Sequence, residues 1–448
     1  MSLGLFTDLY ELRMLRAYWE LPHNEQGVFS LFVRRLPEER NFLVACGLED
    51  FLTAVETLRF DADDLSYLAS QGFPEQFLHR LSEFRFTGNI HALPEGTPFF
   101  ANEPIVEVDA PIGEAQIIET LALNQIGFQT LVASKAARIV EAAKGRTVID
   151  FGARRAHGFD AALKGARAAY VAGAAATSNV LAGKTYGIPI AGTMAHSFVQ
   201  AFASEIDAFR AFARIYPDTV LLVDTYDTLE GVRKVIALAC ELGIGFRVTA
   251  VRLDSGDLLR LSRDARRLLD DAGLSSMQIF VSGGLDEHRI AALLASGAPI
   301  DGFGVGTDLI VSADAPAFDI AYKLTEYAGQ GRMKLSTGKR TLPGQKQIFR
   351  RFEDELACGD TIARRGETLP GSPLLVPVMT AGRRLAEAEP LMAIRTRNRE
   401  DVARLPPRLR NLSPADPGYP VQVSHELAAS ERAIRRAKVR ESRLASLL

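Results

Sequence analysis

The sequence predicts an α/β protein whose central part is a parallel barrel, and three observations support this. From about residue 145 to residue 310, short apolar runs alternate with helical stretches. The runs are nearly all apolar, which is typical of strands covered on both faces. Their starts lie roughly 25–40 residues apart, about the length of one strand–helix unit. Six such units in series favour a closed barrel over an open doubly wound sheet, which is the alternative.

Each of the six runs ends in residues that are typical of turns. In chain order the runs are TVIDFGARR, IPIAGTMAHS, TVLLVDTYDT, FRVTAVRLDSGD, MQIFVSGGLDE and IDGFGVGTDL. Polar residues collect at their carboxyl ends, where a barrel of this kind builds its active site. Turns favour many of these residue types in any case, so we interpret Asp224, Asp227 and Asp257 as turn residues. The arginines at these ends are less well explained by turns.

The two ends of the chain predict an α+β arrangement. In the first 100 residues, helical stretches such as DLYELRMLRAYWE flank the strand-like GVFSLFVRRLP. Beyond Leu342, the strand-like PLLVPVM precedes a charged helix. We predict an N-terminal α+β domain over residues 1–120, the barrel over residues 121–335, and a C-terminal segment over residues 336–448 that completes the α+β domain.

The composition bears on the class of protein. The chain has 448 residues, a hydrophobic fraction of 47% and a net charge of −3. This is too apolar for a disordered chain, and the charge provides no general attraction to nucleic acid or to an anionic membrane. Three widely spaced cysteines, an acidic N-terminus and the lack of an apolar run of about 18 residues predict a soluble cytoplasmic protein.

Two glycine-rich loops, VSGGLDE and FGVGTDL, close the last two repeat units. Glycine lets backbone N–H groups approach an oxyanion, and the loops after the last two strands are the usual phosphate site of these barrels. Cations are dense nearby, although a solvated basic face would explain any one of them: Arg154, Arg155, Lys164, Lys323, Arg332, Lys334, Lys339, Arg340 and Lys346. Their density predicts a polyanionic ligand such as a pyrophosphate.

His196 lies in GTMAHSFVQAF, between an apolar run and the helical stretch that follows it. Two interpretations are open. The histidine is either a hydrogen-bonded turn residue or a nucleophile directed at a phosphate. A neutral imidazole is a competent nucleophile, and a helix N-terminus favours negative charge nearby.

The chain resembles the nicotinate phosphoribosyltransferase family. The matching motifs occur in the family's order between Leu5 and about Arg350: LFTDLYELRMLRAYW, RRLPEERNFLVACGLED, DFGARRAHG, GTMAHSF, VRLDSGDL, FVSGGLDE, GFGVGTDL, YKL and RMKLSTGKRTLPG. No single motif is decisive, but the ordered set is highly specific. From about Phe352 onward the resemblance is loose.

The resemblance implies a fold, a reaction and a set of partners. In this type II phosphoribosyltransferase family, an irregular TIM-like α/β barrel packs on an α+β domain built from both chain ends. The enzymes transfer the phosphoribosyl group of 5-phosphoribosyl 1-pyrophosphate (PRPP) to nicotinate, which yields nicotinate mononucleotide and pyrophosphate for NAD biosynthesis. ATP is a co-substrate, Mg²⁺ enters with the substrates rather than at a protein metal site, and a homodimer shares its active sites.

The resemblance also implies roles for individual residues. His196 matches the histidine that ATP phosphorylates, and Asp254 matches a carboxylate near the ribose. Tyr10 and Phe151 match the aromatic pair that sandwiches the pyridine ring, with the tyrosine supplied by the partner subunit. The other matches are Thr193 and Arg252 at the nicotinate site, Gly283, Gly284, Gly304, Gly306 and Thr307 in the 5′-phosphate loops, and Arg154, Lys323 and Lys334 near pyrophosphate.

Several other functions fit the sequence less well. Enzymes that use nicotinamide resemble this chain but carry an acid at the position of Ser178, and an acid would repel a carboxylate, so Ser178 favours nicotinate. Quinolinate would need further basic residues for its second carboxylate. TVLLVDTYDTLEG resembles the loop of type I phosphoribosyltransferases only superficially, because it lacks their adjacent acid pair. A non-catalytic barrel that senses pyridine nucleotides is the alternative from another class, and the charged site residues argue against it.

Overall fold

The computed structural model describes residues 3–336 and 341–445, with side chains described as far as residue 440. The chain divides into two compact units. The first comprises Met1–Leu131 with Ala317–Leu448, and the second comprises Val132–Pro316. The boundaries predicted at residues 120 and 335 both lie within the first unit, because the strand over residues 320–327 pairs there with the strand over residues 26–33.

The part of the chain before residue 143 contains six helices and five strands among its described residues. The helices are α1 (Leu9–Glu20), α2 (Leu48–Thr57), α3 (Ala62–Ser70), α4 (Glu75–Ser82), α5 (Ile112–Gln116) and α6 (Glu119–Ala142). The strands are β1 (Gln26–Val33), β2 (Leu43–Val44), β3 (Asn89–Ala92), β4 (Pro98–Phe99) and β5 (Pro104–Pro111).

Strands and helices then alternate through the second unit. The strands are β6 (Thr147–Asp150), β7 (Ala176–Thr177), β8 (Val220–Leu222), β9 (Ala250–Leu253), β10 (Gln278–Val281) and β11 (Gly302–Val305). The helices are α7 (Phe159–Val171), α8 (Val180–Tyr186), α9 (His196–Gln200), α10 (Glu205–Ile215), α11 (Thr228–Leu242), α12 (Leu258–Asp271), α13 (Glu287–Ala295) and α14 (Thr307–Ile310).

The remainder of the chain returns to the first unit. Its strands are β12 (Ile320–Tyr327), β13 (Gln330–Gly331), β14 (Lys346–Glu353), β15 (Leu356–Arg364), β16 (Ser372–Pro373), β17 (Val376–Thr380), β18 (Arg383–Arg384) and β19 (Val421–Val423). Its helices are α15 (Leu391–Ala403), α16 (Pro407–Arg410) and α17 (His425–Ala445). No helix of the described residues is long and apolar enough to cross a membrane.

The first unit is built on a seven-stranded sheet in the order β13-β12-β1-β5-β3-β17-β18. Its strand pairs are antiparallel, and β1 pairs with β5 on one side and with β12 on the other. One face buries a core that includes Leu31, Val106 and Tyr322. Strands from both chain ends therefore share one sheet, which confirms the predicted α+β domain. A further sheet has the order β16-β14-β15-β19.

The second unit is built on a parallel sheet in the order β7-β6-β11-β10-β9-β8. The last strand, β11, pairs with the first, β6, so the order is cyclic, as in a barrel and unlike a doubly wound sheet. Beyond β7, the pairing continues among the described residues as a bridge between Thr177 and Ile190. The sheet is a curled half-barrel, which confirms the predicted α/β class and its irregular, TIM-like form.

One predicted strand differs from the structure. The run IPIAGTMAHS contributes only the bridge at Ile190, whereas the two-residue strand β7 takes the place beside β6. A strand of two residues is too short to show a period-2 pattern, so its sequence carries no strand signal. The other five apolar runs contain β6, β8, β9, β10 and β11.

Aspartates are the N-cap residues of three of the helices that follow these strands. The Asp227 side chain accepts a hydrogen bond from the Glu230 amide at 2.9 Å, and Asp257 accepts one from the Arg260 amide at 3.1 Å. Asp286 caps α13 in the same way. Each cap satisfies a backbone donor that the first helical turn leaves unpaired. The interpretation of Asp227 and Asp257 as turn residues is confirmed.

Candidate active site

The carboxyl ends of the parallel strands bring His196 close to residues from two later strand–helix units. Its Nδ1 atom lies 3.1 Å from the Thr225 hydroxyl oxygen. Its Nε2 atom lies 3.9 Å from a carboxylate oxygen of Asp254. His196 is the first residue of α9, and its side chain is 40% exposed, so the ring is both held and accessible.

Asp254 is held from two sides. Its backbone amide donates to the Asp224 carboxylate at 3.0 Å, and its own carboxylate accepts a hydrogen bond from the Ser282 hydroxyl. Asp224 also accepts from the Ser255 hydroxyl at 2.6 Å. The interpretation of Asp224 as a plain turn residue is therefore wrong, because its carboxylate binds Asp254 and Ser255, just beyond the carboxyl end of β9, rather than capping its own helix.

Arg252 and Phe151 form the apolar and cationic part of the site. The Arg252 guanidinium carbon lies 5.9 Å from the centre of the Phe151 ring. One guanidinium nitrogen donates to the Met194 carbonyl at 3.3 Å, and among the described residues the buried Nε atom has no hydrogen-bond partner. Burial lowers the pKa of the guanidinium, and Asp254 and Asp224 oppose that shift. A partly buried cation with an unused donor suits a carboxylate ligand.

Asp150 positions the segments that carry Phe151 and Ser178. Its carboxylate accepts from the Gly152 amide and from the Thr177 hydroxyl, both at 2.7 Å. Its carbonyl accepts from the Ser178 amide at 2.8 Å. Burial raises the pKa of Asp150, and these two hydrogen bonds to its carboxylate counteract the rise. The side chain of Ser178 is exposed.

The two glycine loops follow adjacent strands, β10 and β11. Gly283 and Gly284 have φ angles of +89° and +56°, which favour glycine. A Cβ atom on Gly283 would lie 1.9 Å from the Asp254 carbonyl oxygen, so this loop packs directly on the carboxylate segment. Gly306 precedes α14, which begins at Thr307. Phosphate binding by these loops stays a prediction.

Gly304 has a packing role that the sequence analysis did not anticipate. It lies within β11 rather than in the loop, and it is buried. A Cβ atom there would lie 2.3 Å from the Phe151 ring. Glycine at this position is therefore required for the aromatic ring to occupy its place beside the strand.

Three predicted site residues belong to the first unit. Tyr10 lies on α1 with 46% of its surface exposed. Partial burial and the neighbouring Glu119 raise its pKa. Lys323 lies on β12 and its ammonium contacts the Glu119 carboxylate at 3.1 Å. The Lys334 amide donates to the Thr341 hydroxyl at 3.2 Å. Their roles at nicotinate and pyrophosphate stay predictions.

The other predicted site residues lie in the second unit. Arg154 is exposed on the short turn after β6, and the Thr193 hydroxyl donates to the Met194 carbonyl at 3.3 Å. Of the wider cation set, Lys346 is buried with its ammonium 3.0 Å from Glu107, so it is a structural ion pair rather than part of a basic surface. Lys339 and Arg340 lie outside the described residues.

Comparison with known proteins assigns this site to a family. A model of the nicotinate phosphoribosyltransferase (NAPRTase) N-terminal domain matches residues 5–127, and the NAPRTase family model matches residues 147–360. The nicotinate phosphoribosyltransferase pncB2 of Mycobacterium tuberculosis is 56% identical over 441 residues, which cover 98% of this chain and 95% of the relative. The chain belongs to the nicotinate phosphoribosyltransferase family.

Two further proteins are similar to this nicotinate phosphoribosyltransferase. The nicotinate phosphoribosyltransferase of Bacillus subtilis is 46% identical over 358 residues, which cover 78% of this chain and 73% of the relative. The crystal structure of human nicotinic acid phosphoribosyltransferase superposes with a TM-score of 0.84 at 29% identity, covering 94% of this chain and 98% of the human one. The chain is therefore an enzyme of this type, with a function in NAD biosynthesis, as its motifs predict.

In this nicotinate phosphoribosyltransferase, three residues at the site had no functional role in the sequence analysis. Thr225 contacts His196, Asp224 holds the Asp254 segment, and Thr177 binds Asp150. Thr225 and Asp224 end an apolar run that the sequence does show, so their position at a carboxyl end was the available signal. Thr177 lies in the two-residue strand β7 and had none.

Proposed function

We propose that this enzyme transfers the phosphoribosyl group of PRPP to nicotinate, coupled to hydrolysis of ATP through a transient phosphate on His196. One observation carries the proposal: a partly buried arginine beside an aromatic ring lies on the same sheet edge as the Asp254–His196–Thr225 cluster. The first group suits an aromatic carboxylate and the second suits ribosyl and phosphoryl transfer. We place the enzyme in the cytoplasm, as the sequence analysis predicts.

The nicotinate carboxylate would bind Arg252. The Nε atom, which has no hydrogen-bond partner among the described residues, and a terminal guanidinium nitrogen would provide the two parallel donors of a bidentate pair. The pyridine ring would lie against Phe151, whose place is kept by Gly304. Thr193 and the exposed Ser178 would complete this pocket.

The transfer itself forms a bond between the pyridine nitrogen and C1′ of the ribose and breaks the bond from C1′ to the pyrophosphate oxygen. The leaving pyrophosphate takes the bonding electron pair. Positive charge develops on the ribosyl group, as in glycoside chemistry, and Asp254 would stabilise it or hold the ribose hydroxyls. Gly283, Gly284, Gly306 and Thr307 would hold the 5′-phosphate, and Arg154, Lys323 and Lys334 would meet the pyrophosphate.

His196 would accept the γ-phosphoryl group of ATP. When Nδ1–H donates to Thr225, the lone pair of Nε2 is free on the side of Asp254. Attack of Nε2 on the γ-phosphorus forms the N–P bond, and ADP leaves with the electron pair of the broken P–O bond. Water then hydrolyses the phosphohistidine.

Mg²⁺ would enter bound to the phosphate oxygens of ATP and PRPP. Among the described residues, no group of three or more His, Cys, Asp or Glu side chains is arranged to hold a metal ion. Asp224 and Asp254 supply carboxylates at the sheet edge, which fits a metal held mainly by its substrates. The bound ion would stabilise charge on the leaving pyrophosphate.

The proposed assembly is a homodimer in which Tyr10 completes the nicotinate site of the other subunit. Its 46% exposure on α1 leaves the ring available for such a contact. Mixing His196→Ala and Tyr10→Ala subunits would restore activity in the hybrid dimer if the sites are shared. If the sites are not shared, mixing leaves the activity at the sum of the two parent variants.

The first test supplies PRPP and Mg²⁺ with nicotinate, nicotinamide or quinolinate, with and without ATP, and measures mononucleotide. We expect product from nicotinate, increased by ATP. Radiolabel from [γ-³²P]ATP should appear as an acid-labile, base-stable protein phosphate that His196→Ala abolishes and that the exposed α4 variant His79→Ala keeps. Product from nicotinamide would contradict the role of Ser178, and no product from any pyridine would favour the non-catalytic sensor.

A further inference from the structure

A buried lysine joins the two segments that follow the glycine loops. Lys135 lies on α6 and is 2% exposed. Its ammonium lies 2.5 Å from the Glu287 carboxylate and 3.1 Å from the Asp314 carboxylate. Glu287 is the first residue of α13, just after Gly283 and Gly284. Asp314 follows α14, the helix that begins at the second loop.

Arg138 is a second cation at the Glu287 carboxylate. Its Nε atom donates to the other oxygen of Glu287 at 2.7 Å. Burial alone would raise the pKa of Glu287, but the Lys135 ammonium and the hydrogen bonds from Lys135 and Arg138 lower it, so this carboxylate is charged. Two cations thus hold Glu287, and one of them, Lys135, also contacts Asp314. The Lys135 ammonium therefore bridges the segments that follow the two loops.

We propose that Lys135 is a positioning residue that sets the distance between the two glycine loops and thereby the affinity for the 5′-phosphate of PRPP. The proposal rests on the proposed function. A phosphate monoester bound by backbone amides from two loops requires both sets of donors at hydrogen-bond distance, and small displacements weaken such binding strongly. Beyond the paired ends of β10 and β11, the ion pairs of Lys135 connect the segments that follow the loops.

Four variants test this role. Lys135→Met removes the charge at similar length, and Lys135→Arg keeps it. Asp314→Asn weakens the contact of Lys135 with the segment after the second loop and leaves the Lys135–Glu287 pair in place, and its position, 13% exposed, makes it the milder change for folding. Lys234→Met is the matched control, because Lys234 pairs with the buried Glu205 at 2.8 Å on helices away from the loops.

The measurements are kcat, the KM for PRPP, the KM for nicotinate, and the rise in melting temperature caused by ribose 5-phosphate. We expect Lys135→Met and Asp314→Asn to raise the KM for PRPP about tenfold, with kcat and the KM for nicotinate within about twofold. Both should lose most of the ribose 5-phosphate stabilisation. Lys135→Arg should restore most of it, and Lys234→Met should match the wild type.

Two results would overturn the proposal. One is a KM for PRPP within about twofold of wild type in both variants; the other is a proportional change in every kinetic constant, which indicates only a loss of folded enzyme. If Lys135→Met does not fold, Asp314→Asn decides. If the proposed function is wrong, the wild-type enzyme will form no PRPP-dependent product. The stabilisation by ribose 5-phosphate would still test the role of Lys135 in that case.

Discussion

The Nδ1 atom of His196 and the hydroxyl of Thr225 lie 3.1 Å apart, although 29 residues separate them in the chain. Thr225 follows β8 and His196 begins α9, so the contact is made where two strand–helix units meet. A hydroxyl that accepts from Nδ1–H selects the tautomer whose Nε2 is unprotonated. In the phosphorylation that we propose, the ring nitrogen nearer Asp254 would then be the nucleophile.

Thr225→Val should reduce the stimulation of the reaction by ATP about tenfold, the worth of one orienting hydrogen bond of about 1–1.5 kcal/mol. The transfer measured without ATP should change much less, because the Thr225 hydroxyl acts through its hydrogen bond to the histidine. Thr225→Ser keeps the hydroxyl and should retain most of the coupling. Steady-state rates with and without ATP provide the measurement, and equal losses in both rates would show that Thr225 acts only on folding.

Arg252→Lys should raise the KM for nicotinate by about 10- to 100-fold, since a charge-assisted hydrogen bond of about 1.5–3 kcal/mol is lost. Lysine keeps the positive charge but not the planar pair of donors. The KM for PRPP should stay near its wild-type value. A KM for nicotinate that does not change would remove Arg252 from the carboxylate site.

Gly304→Ala should raise the KM for nicotinate, because a methyl group there would lie 2.3 Å from the Phe151 ring and displace it. Gly302→Ala is the matched control on the same strand, where the methyl group would lie 2.2 Å from the Phe280 ring instead. Overpacking of this kind costs about 1–3 kcal/mol of folding free energy at either position. Steady-state kinetics and thermal unfolding of both variants separate the effect on nicotinate binding from the effect on stability. A KM for nicotinate that is the same in Gly304→Ala and Gly302→Ala would argue against Phe151 as the surface on which the pyridine ring stacks.

Glu103 makes the stability of the first unit sensitive to pH. It is fully buried and accepts a hydrogen bond from the Phe100 amide at 2.8 Å. Burial, together with the neighbouring Asp360 carboxylate, raises its pKa well above the usual range. Asp360 itself pairs with Arg350 at 2.6 Å and accepts from the Tyr419 hydroxyl at 2.7 Å. The charge of Asp360 is thus paired with a cation, whereas burial disfavours a charge on Glu103.

The sign of the pH effect follows from the raised pKa. Below the pKa that Glu103 has in the unfolded chain, the group is protonated in both the folded and the unfolded state and does not reduce stability. As pH rises through the folded-state pKa, the unfolded state is favoured by its easier ionisation, so stability falls. Glu103→Gln imitates the protonated acid and should raise the melting temperature at pH 8 but change it little at pH 4. The exposed Glu20→Gln is the control; a Glu103→Gln effect that is the same at both pH values would contradict this assignment.

Much of this protein could be predicted from neighbouring residues alone. Apolar runs alternating with helices predicted the parallel sheet, and five of the six runs contain its strands. Residue types at the run ends placed His196, Arg252 and Asp254 at one edge, because the carboxyl ends of parallel strands meet there. Motif order predicted the family. These features depend on local periodicity and chemistry, which the sequence displays directly.

The tertiary structure alone decided which of these residues touch. The bridge from Thr177 to Ile190, the return of β11 to β6, and the contact of Asp224 with Asp254 across 30 residues depend on strand pairing. Lys135 was one more polar residue in a long helical stretch until packing placed two carboxylates around it. Ion pairs and hydrogen bonds between distant residues arise from geometry that the whole fold imposes, and no local pattern in the chain encodes them.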